Sequence, residues 1–172
     1  MRRPPGDPYR AVLARFNRTG VRYVVVGMSG INYYAKRPSQ AFGTMDFDLF
    51  LDPTLSNVKK ALRNLERLGL TLGTKEGALG SVKGLTGEEL KQLVRHRVTF
   101  VATTPEGFMA ELLLQISGYP FSELAKDAAT FDAQGVPVRV GRLEKLLRSK
   151  KIAGRPKDLH FLRRYSSLKE EE

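Results

Sequence analysis

Apolar residues recur at helical spacing over residues 8–19, where Val12, Leu13 and Phe16 share one side and Gly20 supplies a stop, so the first element reads as a helix. Residues 21–27 then read as a buried strand and 28–36 as a short helix entered through small residues. A loop over 37–44 leads into a second strand, 45–51, which Asp52-Pro53 closes. Over 56–68, Val58, Leu62, Leu65 and Leu68 fall on one side and Lys59, Lys60, Arg63 and Arg67 on the other. This is an amphipathic helix whose charged side is expected to be simply solvated.

From 69 to 87 glycine recurs every three or four residues, with Lys75 and Lys83 among them, and the stretch reads as a mobile loop or a ragged hairpin that could act as a flap. A short helix over 88–95 precedes two strands, 98–102 and 108–116, which the turn-forming Pro105 and Gly107 join into a hairpin. Residues 121–129 read as helix, 136–140 as a short strand and 143–152 as helix. Pro156 opens a last helix after a break at Gly154. Helices and strands mix without strict alternation, which predicts an α/β (α+β) chain: a mixed β-sheet with flanking helices, in one domain over 1–172.

Composition narrows the chemistry. The 172 residues, 41% of them hydrophobic, suffice for one core. No apolar run nears the roughly 20 residues that cross a bilayer, and residues 1–9 are basic and proline-rich with no apolar stretch behind them, so a cytoplasmic protein without membrane attachment is expected. With no cysteine and only His96 and His160, disulfides, thiolate zinc sites and histidine-rich sites are excluded, and any metal must be held by oxygen. The formal charge of +11 favours phosphate-bearing partners over the alternative of plain solubility. It is concentrated over 142–169, where ten Lys or Arg face only Glu144 and Asp158, which makes this basic carboxy-terminal helical element the expected phosphate-facing surface.

The segment TMDFDLFL at 44–51 is the most informative. Side chains alternate along a strand, so Asp46 and Asp48 point to one face. Two carboxylates side by side on an apolar strand need positive compensation. Mg²⁺ would supply it, whereas an edge strand with its acids in water or paired with Lys and Arg is the plainer alternative. The preceding strand runs into Gly27-Met-Ser-Gly30, where small residues let the backbone approach a phosphate. Glu111, alone among apolar residues in 108–116, is the candidate third acid for a two-metal phosphoryl site, or else the partner of a nearby Lys or Arg.

These residues resemble the minimal pattern of the nucleotidyltransferase superfamily that shares a fold with DNA polymerase beta: a strand, a Gly-Gly or Gly-Ser turn, an acid-x-acid strand and a later third acid. Within it the chain is most similar to bacterial nucleotidyltransferases of toxin–antitoxin and abortive-infection systems, whose motif is followed by a basic helix pair, here KKIAGRPKD at 150–158. The likeness spans 21–162. It departs at Met28, where the family usually has Gly or Ser, and at Glu111, where Asp is commoner.

The resemblance implies the nucleotidyltransferase fold, with Asp46, Asp48 and Glu111 holding two Mg²⁺ (or Mn²⁺) ions and acting in catalysis. It further implies that Gly27, Ser29, Thr44, Lys150, Arg155, Lys157 and Asp158 meet the nucleoside triphosphate. Lys157 and Asp158 have a plainer alternative as residues that cap and decorate a helix start. The expected activity is transfer of a nucleoside monophosphate from ATP, GTP or another triphosphate to a hydroxyl on RNA, such as a tRNA end, or on a protein, within a system that includes a cognate toxin or antitoxin. The alternative is a catalytically inactive protein of that fold that works by binding. An aminoglycoside acceptor ranks last, because a polycation is repelled by a chain at +11.

Overall fold

The computed structural model describes residues 8–36, 41, 46–75, 77–78 and 84–170. Among these, the chain runs α1 (Arg10–Thr19), β1 (Tyr23–Val26), α2 (Gly27–Asn32), β2 (Asp46–Leu51), α3 (Leu55–Arg67), β3 (Thr71–Thr74), β4 (Gly77–Ala78), α4 (Gly87–Arg95), β5 (Phe100–Thr103) and β6 (Met109–Leu113). It continues with α5 (Phe121–Ala125), β7 (Ala129–Ala133), β8 (Val136–Val140), α6 (Leu143–Ala153) and α7 (Pro156–Glu170). The strands form one mixed sheet in the order β4-β3-β5-β6-β2-β1-β8-β7, with helices packed on it, as the sequence predicts.

The central strands are apolar on one side without interruption. Leu49, Leu51, Ala110 and Leu112 are fully buried together with Leu13 and Phe16 of α1 and Val58, Leu62 and Leu65 of α3. Tyr9, at the start of α1, stacks on Phe47 with ring centroids 4.4 Å apart, and α1 packs against α3, which in turn contacts α4. These three helices therefore cover the Phe47 face of the sheet. Asp46 and Asp48, one residue out of phase, open onto the other face, where α2 and α6 lie.

The start of α3 is tied to the sheet by a buried amide. Asn57 donates to the Arg22 and Asp52 carbonyls and accepts from the Arg22 N–H, while the Thr54 hydroxyl caps the helix by accepting from the Asn57 N–H. The Thr86–Glu89 capping box starts α4 in the same manner.

Of the two readings of the glycine-rich stretch, the hairpin is the one formed, β3 paired antiparallel with β4, and β3 continues the sheet through β5. Other elements differ from the sequence reading. The helix expected over 121–129 ends at Ala125, and residues 129–133 are instead a strand. β7 turns back into β8 through Gln134 and Gly135, whose φ angles of 52° and 89° are the left-handed pair a two-residue hairpin needs. β6 stops at Leu113, and Ile116 beyond it pairs only with Tyr119 across a tight turn. No helix among the described residues is long and apolar enough to cross a membrane.

Candidate functional site

A cleft of about 640 Å³ opens on the Asp46/Asp48 face, bounded by the ends of β1, β2 and β6 on one side and by α6 and α7 on the other. The acid side is set by strand register. β2 and β6 run parallel with Asp48 beside Glu111 and Asp46 beside Met109, so Asp48 and Glu111 are lateral neighbours and Asp46 lies one pleat away on the same face. Two acids separated by 63 positions in the chain are thus adjacent because of a single register.

The turn from β1 into α2 presses against this cluster. Gly27 has φ 64°, a left-handed conformation, and a Cβ placed there would overlap the Asp48 carboxylate oxygen. Glycine is required twice over, by its backbone and by the close approach. Ser29 does not face the cleft. It is buried, with its hydroxyl donating to the Val26 carbonyl at 3.0 Å and accepting from the Asp48 N–H at 2.9 Å. Met28 takes the place beside Gly27 in the cleft wall.

Burial, then the neighbouring Glu111 and Asp46 charges, push Asp48 up to about 6, against the pull of Lys150 and Lys75. Such crowding of like charge is what a bound cation relieves. The donor set is all oxygen and suits Mg²⁺ or Mn²⁺. Among the described residues no three acidic or histidine side chains close into a ready-made metal cage, and Glu111 Oε1 lies 3.6 Å from Lys75 Nζ. The ion pair left open as the alternative for Glu111 is therefore realised, with a lysine from the turn between β3 and β4.

The cation side is built by the helix pair. Gly154, in the left-handed conformation, ends α6, and its N–H bonds the Lys150 carbonyl. Three residues into the next helix, Asp158 is 1% exposed. Its carboxylate accepts from Arg155 Nε at 2.7 Å, Arg155 Nη2 at 3.2 Å and the Arg155 N–H at 3.2 Å, with Lys150 Nζ 3.6 Å away. Lys150 also stands 5.0 Å over the Phe161 ring.

Burial would raise Asp158, yet the Arg155 hydrogen bonds and charge outweigh it and hold the carboxyl below its usual range. Burial pushes Lys150 down, while Asp158 and then Asp48 hold it up. Asp158 raises Arg155, and the Asp48 and Glu111 charges add to that pull from across the cleft. The capping alternative for Asp158 holds as well, since it takes the Arg155 N–H at the start of α7.

Of the residues singled out from sequence, Gly27, Asp46, Asp48, Glu111, Lys150, Arg155, Lys157 and Asp158 all line one cleft. Ser29 braces it from behind, and Thr44 lies outside the described residues. Sequence reasoning did not assign Lys75, Gln115, Ser117 or Ser149 to the site. Lys75 was visible only as a cation in a glycine-rich stretch, and the two serines carry no pattern that marks them. No protein-family model matches the chain, and no curated protein is significantly similar to it. The motif and the geometry therefore carry the functional reading.

Proposed function

We propose that the protein is a metal-dependent nucleotidyltransferase that moves a nucleoside monophosphate from a nucleoside triphosphate to an acceptor hydroxyl, on RNA or on a protein, and releases pyrophosphate. The observation that carries this reading is the parallel register that sets Glu111 beside Asp48, with Asp46 on the same face, opposite the Lys150–Arg155–Asp158 cluster. An acid wall and a basic wall facing one cleft suit a ligand that is both polyanionic and metal-bearing.

Asp46, Asp48 and Glu111 would hold the divalent ions, which would supply Lewis-acid stabilisation of the phosphoryl oxygens. Lys150, Arg155 and Lys157 would bind the triphosphate, with Arg155 and Lys150 aimed by Asp158. In the proposed transfer, the acceptor oxygen bonds to the α-phosphorus, the bond from that phosphorus to the bridging oxygen breaks so that pyrophosphate leaves, and the hydroxyl proton would pass to a carboxylate, with Glu111 the candidate acceptor. The same reading includes a cognate protein partner of the toxin–antitoxin kind.

The test is incubation with each radiolabelled triphosphate, Mg²⁺ and total RNA or lysate, beside an Asp46→Asn/Asp48→Asn control. Label transferred by the wild type and not by the control supports the enzyme and identifies the acceptor class. A second reading, a protein of this architecture that binds nucleotide or partner without turnover, is favoured by Met28 in the cleft wall and by the Lys75–Glu111 pair. Nucleotide binding without transfer under any condition would select it.

A further inference from the structure

A second basic surface lies on the side of the sheet opposite the cleft. On α3, Lys59, Lys60, Arg63 and Arg67 are all exposed. At 3.6 residues per turn they fall within an arc of roughly 100°, and Lys59, Arg63 and Arg67 follow one another at four-residue steps over about 12 Å. None of the ion pairs among the described residues involves them.

Both helices packed against α3 also carry exposed basic residues. Lys60 reaches towards Gly20, where α1 ends and its last turn carries Arg18, and α4 presents exposed Lys91 and Arg95. Glu66 of α3 and Glu88 and Glu89 of α4 offset part of this charge, and the basic residues outnumber them.

Like charges four residues apart weaken a helix by a few tenths of a kcal/mol per pair, a cost that Glu66, three residues after Arg63, offsets in part and an anionic ligand along the stripe would offset further. An acidic membrane is a poor occupant. Val58, Ala61, Leu62 and Leu65, the apolar side of α3, are buried in the core, which leaves nothing on the basic side to insert among acyl chains. A line of evenly spaced cations with no apolar anchor fits a line of evenly spaced phosphates.

We infer that the outer face of α1, α3 and α4, centred on Lys59, Lys60, Arg63 and Arg67, binds the phosphodiester backbone of a nucleic acid. This surface is separate from the cleft and independent of any nucleotidyl transfer there. The contact neutralises phosphates and releases counterions, so it has no inherent sequence preference.

The experiment measures anisotropy of fluorescein-labelled homopolymeric RNA, and of DNA of the same length, across about 50 to 200 mM salt without metal, where the affinity of a strand falls by about 0.7 log units per neutralised phosphate for each tenfold rise in salt. The full chain is compared with K59Q/K60Q/R63Q/R67Q and with the cleft-mouth variant Lys157→Gln. Glutamine keeps helix propensity and removes the repulsion, so the back-face variant is expected to fold at least as well, which melting checks.

The wild type is expected to lose roughly fifty-fold more affinity across that range than the back-face variant, corresponding to four phosphates. Lys157→Gln is expected to keep most of the wild-type salt dependence. RNA and DNA binding alike supports backbone recognition, and preference for one identifies the source. Equal salt dependence in wild type and back-face variant, absence of binding to either nucleic acid, or binding only to phosphatidylserine vesicles would overturn the inference.

Discussion

The Ser29 hydroxyl takes the Asp48 backbone N–H at 2.9 Å while giving its own proton to the Val26 carbonyl at 3.0 Å. One buried side chain thereby ties the end of β1 to the middle of the acid-bearing strand. Ser29→Ala is expected to cost about 1–3 kcal/mol, because a backbone donor inside the fold loses its side-chain acceptor. Urea unfolding checks it. An unchanged midpoint would mean that the strand ladder alone fixes Asp48.

Asp48 ties stability to pH in the direction opposite to a salt-bridged acid. Its folded pKa of about 6 lies above the ordinary aspartate value of 3.8, so the folded state holds the proton more tightly. Stability falls as pH rises between those values, and the full penalty, about 3 kcal/mol at 1.36 kcal/mol per unit, is present above the folded value. Asp48→Asn should raise the melting temperature at about pH 8 and lose that advantage at about pH 4. Mg²⁺ or Mn²⁺ should stabilise the wild type at the higher pH and leave the variant unmoved. The opposite trend with pH would mean that Asp48 is compensated from within the protein.

Gly27→Ala tests the close approach. The added methyl overlaps the Asp48 carboxylate in a backbone conformation that alanine resists, so a loss of at least 1 kcal/mol is expected together with loss of divalent-metal stabilisation. Thermal melts with and without Mn²⁺ read both effects. Retention of the metal response would show that Asp48 can move aside.

Lys75 competes with any cation for Glu111. Its side chain is 59% exposed, so the pair itself contributes little stability, and Lys75→Met is expected to shift melting by well under 1 kcal/mol. Mn²⁺ affinity, measured by titration with spin-resonance detection, should rise in the variant. A weaker affinity would assign Lys75 to the support of metal binding.

Asp158→Asn removes the charge and one of the two acceptor oxygens that aim Arg155 and Lys150. Triphosphate affinity is expected to fall about tenfold, and stability by roughly 1–3 kcal/mol, discounted because the Arg155 guanidinium is largely exposed. Fluorescent-nucleotide titration and melting separate the two effects. Unchanged nucleotide affinity would leave Asp158 as a helix cap alone.

What was legible in the sequence follows from periodicity. Alternation along a strand puts Asp46 and Asp48 on one face without any knowledge of the fold, and a lone acid among Ala110, Leu112 and Leu114 marks Glu111. Their adjacency was not legible, since it depends on the β2–β6 register, a long-range pairing. The helical reading of 121–129 runs on through Ala128 and Ala129 and hides β7, although Gln134-Gly135 between alternating residues is a hairpin signal. The resemblance assigns Ser29 to the triphosphate, whereas its hydroxyl turns to the backbone. A buried hydroxyl that bonds only to backbone leaves no trace in residue pattern, and its position in a small-residue turn fits both roles.

The two walls of the cleft come from different parts of the chain, the acids from β2 and β6 and the cations from α6 and α7. During synthesis the carboxylates leave the ribosome well before Lys150, Arg155 and Asp158. A growing chain that has paired its central strands therefore presents a crowded anionic ledge with no opposing arm. Only when α6 docks on α2 and brings α7 with it does the ledge become a cleft, so the triphosphate site of the proposed function would be completed last and all at once.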